Sequence, residues 1–269
     1  MKVLIISPQA GFGNRLRALC SAKILGEITG REVFHYWIED EISSKLDHVN
    51  EMKSIDPTYL FDLKIPKWNG GSPDIAFSEW IPGNYWYHEQ STAIRKLNPK
   101  RVEILDNIKK VIECEDDVIL IETSIELKID RLETVYDNLM SDTYTKFFSL
   151  NKKWEEVYEN IPVFDWGISI RKGDFVQLYP EADTSEIQAI NRINSLHGSK
   201  FITSDDINFI NSVRTVTFNW ICTIPNLKPI EQTVYQFLTI SKCKSVMGTR
   251  GSSFSRQAAL FGNKKYVEL

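Results

Sequence analysis

Cysteine is scarce in this chain. Cys20, Cys114, Cys222 and Cys243 are spread over 269 residues, without Cys-x-x-Cys spacing or a clustered set of histidines. That excludes a disulfide scaffold and argues against structural zinc, leaving reduced core thiols as the expectation. Long apolar runs are missing too. Val3 to Ile6 is too short for a signal-peptide core, and no stretch approaches the roughly 18 to 20 residues of a membrane span. The expectation is therefore a cytoplasmic protein with no stable membrane insertion. Nor is there an excess of positive charge: the net charge is −4, with Lys and Arg scattered rather than striped, which demotes nucleic acid and anionic membranes as partners.

What is present is a hydrophobic content of 42%, ample for a core of one or two domains. The two ends of the chain carry the clearest periodicity. A buried-type strand over 3–7 runs into the Gly11-Phe12-Gly13 turn. A helix follows, with Leu16, Cys20, Ile24 and Ile28 recurring every fourth residue and Gly30 as its stop. A second strand is expected over 32–37, another over 118–122, and a helix over 152–160 capped by Asn151. The Trp-, Tyr-, Pro- and Gly-rich stretch between 38 and 117 gives no traceable topology.

Pro162 marks a boundary, dividing 1–160 from 161–269. Beyond it short apolar strands and helices alternate: strand 164–170, helix 185–195, strand 200–203, helix 207–212, strand 215–218, helix 230–241, strand 245–247, helix 254–261, strand 265–267. This is α/β patterning, with parallel strands covered on both faces, and each half reads as doubly wound. Such sheets bind ligands beyond the carboxyl ends of their strands.

Four loops fall at those ends. Gly11-Phe12-Gly13-Asn14-Arg15-Leu16 lets backbone approach an anion at a helix start, although Leu16 stands where a dinucleotide fingerprint has its third glycine, which disfavours an NAD(P) oxidoreductase. A plain tight turn explains the two glycines equally well. Ser169-Ile170-Arg171-Lys172-Gly173-Asp174 places an arginine fork where a diphosphate would lie, or else a surface pair between Arg171 and Asp174. Thr203-Ser204-Asp205-Asp206 offers carboxylates either to the helix that follows or to the N–H groups of a guanine. Gly248-Thr249-Arg250-Gly251-Ser252-Ser253-Phe254-Ser255 joins a strand to a helix through glycines and hydroxyls. That suits an anion with Phe254 against a base, or simply a serine cap.

In order and spacing these four blocks resemble the motifs of the α1,2-, α1,6- and protein-O-fucosyltransferase superfamily, and the chain length suits the compact bacterial α1,2 type. The resemblance implies a GT-B fold: two Rossmann-like, doubly wound domains facing a central cleft, 1–160 on the acceptor side and 161–269 binding the nucleotide sugar. It implies metal-independent, inverting transfer of fucose from GDP-fucose to a hydroxyl of a glycan acceptor, without any cofactor. The absence of Asp-x-Asp from the chain agrees with the lack of a metal requirement.

Carried onto this sequence, the resemblance makes Arg171 and Asp174 the catalytic residues. Gly11, Gly13, Asn14, Arg15, Ser169, Asp205, Asp206, Ser252, Ser253, Phe254 and Ser255 become donor-binding, with Asp205 or Asp206 reading guanine and Asn14 facing the donor from the other domain. Ser169 stands where the family commonly has histidine, so the donor sugar or the proton acceptor differs. Asp174, Glu181 and Asp183 are the nearby candidates for a base. Trp86 and His88, in the aromatic stretch 80–88, are candidate acceptor contacts, although core packing accounts for such a cluster too. Two alternatives stay open: a glycosyltransferase for another nucleotide-deoxysugar, and a non-catalytic module that binds a nucleotide sugar or glycan.

Overall fold

In the computed structural model the described residues are 1–8, 11–36, 57–70, 77–78, 103–104, 108–129, 132–172, 183–216 and 229–269. They fall into two compact units, Met1–Ser149 and Leu150–Leu269.

The first unit starts with β1 (Val3–Pro8), every residue of which is buried, as a strand covered on both faces of a parallel sheet must be. Helix α1 (Phe12–Thr29) follows and ends at Gly30. There φ is +65°, a left-handed conformation that glycine adopts without a Cβ penalty. The chain then returns as β2 (Glu32–His35), continues through β3 (Phe61–Leu63), β4 (Phe77–Ser78), β5 (Glu103–Ile104) and the short helix α2 (Ile108–Glu113), and re-enters the sheet centre as β6 (Val118–Thr123). The sheet order is β2-β1-β6-β4-β5, with all its pairs parallel. Leu4, Ile5, Ile6, Ile119, Leu120 and Ile121 form its core.

Arg31, itself buried, bolts this arrangement together. Its guanidinium donates to the carbonyls of Asp116 at 2.7 Å and Cys114 at 2.6 Å and reaches that of Val3 at 3.4 Å, tying the entry to β6 onto β1 and β2. β3, β4, β5 and α2 lie in the stretch without a traceable sequence pattern, and two elements beyond β6 carry no sequence expectation either. Helix α3 (Tyr136–Phe147) buries Tyr136, Met140 and Tyr144, but Ser141 and Thr143 are buried beside them and break the apolar stripe. Strand β7 (Phe148–Leu150) then pairs with β3.

The second unit opens with helix α4 (Lys152–Asn160), capped by the Asn151 side chain, which accepts from the Trp154 N–H as expected. Next come β8 (Trp166–Ile170), α5 (Glu186–Ser195), β9 (Lys200–Ser204), α6 (Ile207–Val216), α7 (Pro229–Lys242), β10 (Ser245–Gly248), α8 (Ser253–Phe261) and β11 (Lys265–Glu268). The four strands are parallel in the order β11-β10-β8-β9. Ile168, Ile170, Ile202 and Met247 pack with Ala189 and Ile193 of α5 and with Phe209, Ile210 and Val213 of α6.

One expectation is corrected. Residues 215–218 read as a strand, yet Thr215 and Val216 are the last turn of α6. Buried Phe209, Ile210 and Val213 keep a helical spacing that overrides the β-branched pair. Residues 217–218 lie outside the described residues. No helix among the described residues is long and apolar enough to cross a membrane.

Candidate functional site

Parallel strands aim their carboxyl ends the same way, so β8, β9 and β10 deliver three successive loops to one edge of the second sheet. β8 and β9 are hydrogen-bonded neighbours with Ile170 opposite Ser204, and β10 lies on the other side of β8 with Gly248 opposite Ser169. Arg171 therefore emerges between Asp205 and Thr249.

Both neighbours hold it. Its Nε donates to Asp205 Oδ2 at 2.7 Å, while its backbone N–H donates to Thr249 Oγ1 at 2.8 Å. The other oxygen of Asp205, Oδ1, accepts the Lys172 N–H at 2.7 Å. Arg171 is thus ion-paired with Asp205; Asp174, and with it any pair it makes with Arg171, lies outside the described residues, as do Glu181, Trp86 and His88. The Lys172 ammonium turns to the far end of the following segment, donating to Asp183 Oδ1 at 2.6 Å and to the Thr184 carbonyl.

Asp206 does the capping that either carboxylate could have done. Its Oδ1 accepts the Asn208 N–H at 2.8 Å and its carbonyl the Ile210 N–H at 3.2 Å, so the start of α6 is served without Asp205.

The third loop ends at Ser252, the N-cap of α8. Its backbone N–H reaches the Thr249 carbonyl at 2.9 Å, but its side chain makes no capping bond. The hydroxyl is buried, and Ser252 Oγ has no hydrogen-bond partner among the described residues. The first N–H groups of a helix also lack intrahelical partners and carry the positive end of its dipole. A buried acceptor-donor hydroxyl beside them makes a concentrated place for an anion's oxygens.

Ser255, one turn in, is fully buried, with its Oγ 3.4 Å from the Tyr266 hydroxyl on β11. That hydroxyl in turn approaches the Thr249 carbonyl at 3.5 Å, and burial, above all, pushes its pKa up to about 12. A Cβ at Gly248 would collide with Ser255 Oγ, so only glycine allows α8 to start this close to β10. Phe254 stands edge to face with Phe237 of α7, centroids 5.8 Å apart, which gives it a packing role whatever else it touches.

The structure thus brings Arg171, Asp205, Asp206 and Ser252, Ser253, Phe254 and Ser255 to one edge of a single sheet, with Ser169 buried beneath them in β8. Gly11, Gly13, Asn14 and Arg15 belong to the first unit. Gly11 is the N-cap of α1, its carbonyl accepting the Arg15 N–H at 3.0 Å, and Arg15 is 3% exposed rather than reaching outward. Sequence reasoning assigns no role to Thr249 or Lys172, although both stand in the loops it picks out, and it does not single out Tyr266. Among the described residues no group of three His, Cys, Asp or Glu side chains is placed to hold a metal ion.

The fold defined by these elements is mixed α/β with parallel sheets, and it is shared with solved fucosyltransferases. NodZ α-1,6-fucosyltransferase soaked with GDP-fucose aligns over 97% of this chain and 93% of its own, at 16% identity and a TM-score of 0.56. NodZ from Bradyrhizobium aligns over 97% and 92% at 17% identity, again with a TM-score of 0.56. POFUT1 in complex with GDP-fucose aligns over 100% and 97%, at 12% identity and a TM-score of 0.60. At these identities the likeness is one of fold. No family profile and no curated protein sequence matches the chain.

Proposed function

We propose that this protein is a glycosyltransferase that moves fucose from GDP-fucose to a hydroxyl of a glycan acceptor, with inversion and without a metal. Its two units would be the two Rossmann-like halves of a GT-B enzyme, the second binding the donor. The observation that carries this reading is the joining, through Thr249, of Arg171 to the uncapped N-terminus of α8 at neighbouring strand ends. It is supported by a fold shared with proteins crystallised with GDP-fucose.

In the proposed reaction the acceptor oxygen forms a bond to the fucose anomeric carbon as the bond from that carbon to the β-phosphate oxygen breaks. The bonding pair leaves with GDP, and the acceptor's proton passes to a base. Negative charge grows on the β-phosphate, so Arg171 and the N–H groups at 253–255 act most strongly in the transition state, helped by the Ser252 hydroxyl. With no Asp-x-Asp for a cation, these groups supply the neutralisation. Asp183 is committed to Lys172, which leaves Asp174 and Glu181 as the candidate bases. Asp205 or Asp206 is the candidate guanine reader, Asn14 a donor contact from the first unit, and Trp86 and His88 acceptor contacts.

Ser169 favours a second reading of the donor sugar. It is 4% exposed and offers only a hydroxyl where the resembling family has an imidazole, so another GDP-deoxysugar is the alternative substrate. Calorimetric titration of GDP, GDP-fucose and NAD into wild type and Arg171→Ala, in the presence of EDTA, tests the proposal. Binding of GDP-fucose that is lost in the variant is the expected result. Binding of GDP without preference for GDP-fucose points to the other sugar. No guanine-nucleotide binding by the wild type overturns the reading.

A further inference from the structure

Asp205 is one of two acids at this sheet edge that a nucleobase could engage. From its geometry we infer that Asp205 is instead a positioning residue for Arg171, fixing the guanidinium at the angle from which it meets the leaving diphosphate. The inference rests on the proposed role of Arg171.

Three observations carry it. First, one carboxylate grips two successive residues of the same strand end, the Arg171 side chain through Nε and the Lys172 backbone through its N–H, each at 2.7 Å. A group that bonds to the main chain just past a side chain, as well as to that side chain, fixes direction and not only proximity. Second, the helix below does not need it, since Asp206 provides the cap of α6 through both its side chain and its carbonyl. Third, the pair is poorly placed to stabilise the fold. The two side chains are 29% and 28% exposed, a setting in which ion pairs contribute only about 0 to 1 kcal/mol. An interaction of good geometry and small stabilising value is better explained by what it orients.

The chemistry fits that division of labour. A guanidinium carries its N–H donors in a rigid, planar fork, so a bond at Nε sets the plane of the whole group. With Thr249 holding the Arg171 N–H, the residue is fixed at its backbone on one side and at its side chain on the other. Asp205→Asn keeps the shape but offers one acceptor oxygen in place of two, so either Nε or the Lys172 N–H loses its partner.

The test is a double-mutant cycle with Asp205→Asn, Arg171→Lys and the pair, in fucosyl transfer and in binding of GDP and ADP, with an NMR measurement of Arg side-chain exchange. The expected result is a fall in kcat on the order of a hundredfold in Asp205→Asn, as for a misplaced catalytic group. KM for the donor should change little, the preference for GDP over ADP should stay intact, and almost no further loss should appear when Asp205→Asn is added to Arg171→Lys. The Arg171 Nε–H signal, assigned by its disappearance in Arg171→Lys, should exchange faster in Asp205→Asn than in wild type even without nucleotide. Losses that multiply in the double variant, or a lost preference for GDP over ADP, overturn the inference and return Asp205 to base reading, while the proposed function stands. A wild type that binds no GDP-fucose overturns the proposed function and this inference with it.

Discussion

The carboxyl edges of the two sheets use polar residues in opposite ways. In the first unit Arg15, His35 and Glu122 are 3%, 2% and 4% exposed, drawn into the interior around the ends of β1, β2 and β6. In the second unit Arg171 and Asp205 remain over a quarter exposed, and the polar groups buried at that edge include the small hydroxyls of Ser169, Thr249, Ser252 and Ser255. Buried polar groups are costly unless they are paired, so those at the first edge weigh on the stability of the fold. Partly exposed charges keep capacity for a ligand, so under the proposed function a β/α pattern repeated in both halves serves mainly the fold in one and mainly the donor in the other.

The largest effect that separates the two is expected from Arg171→Ala. Transfer activity should fall about a hundred- to a thousandfold, the usual consequence of removing one donor to a developing oxyanion, with the melting temperature almost unmoved. Steady-state kinetics alongside thermal denaturation checks both halves of that statement. Arg31→Ala should do the reverse. It removes the charged donor that ties the carbonyls of Cys114, Asp116 and Val3 together, and hydrogen bonds to a charged group contribute about 1.5 to 3 kcal/mol. Urea denaturation should show that loss, and calorimetry should show GDP-fucose affinity retained; a normal stability would break the idea that the first unit's polar residues serve the fold.

Gly248→Ala sharpens the contrast from within the second unit. The added methyl meets Ser255 Oγ and must push the start of α8 outward, an overpacking that costs about 1 to 3 kcal/mol. Because that helix start is also the proposed anion site, donor affinity should fall together with stability in the same titration.

The smallest effect concerns the opposite, amino-terminal edge of the second sheet. There Asp165 is held by the Lys244 ammonium and by the Ser199 N–H and hydroxyl, and its pKa is lowered from 3.8 to about 2. A carboxylate with a depressed folded-state pKa contributes stability that is present above its ordinary pKa and lost as pH falls through about 2. Asp165→Asn should therefore be slightly less stable than wild type at pH 6, with the difference closing between about pH 4 and pH 2. Denaturant titrations across that range would show it, and a gap that persists below pH 2 would assign the effect to something other than charge.

Much of this is legible in the sequence where apolar spacing and punctuation agree. The helix after β1, although it starts at Phe12 and so takes in two residues read as a turn, its stop at Gly30, the Asn151 cap and the alternation from β8 to β11 each depend on residues close in the chain. Helix α3 is illegible because Ser141 and Thr143 sit among its buried residues, and Thr143 settles its hydroxyl on the Leu139 carbonyl, a local bond that no apolar pattern announces. Strands as short as β4 and β5 carry too few side chains for a period to appear. At the site, Arg171, Asp205 and the serine loop can be picked out because strand ends can be guessed. The bonds from Thr249 to Arg171 and from Tyr266 to Thr249 join β10 to β8 and β11, so they depend on strand order, which the sequence does not state.

Lys172 has one more consequence. By tying itself to Asp183 and Thr184 it pins the strand end that carries Arg171 to the residues just before α5. Loss of the Lys172 ammonium would therefore loosen the lead-in to α5 and the backbone next to Arg171 together, so one side chain couples the footing of a helix to the aim of the arginine.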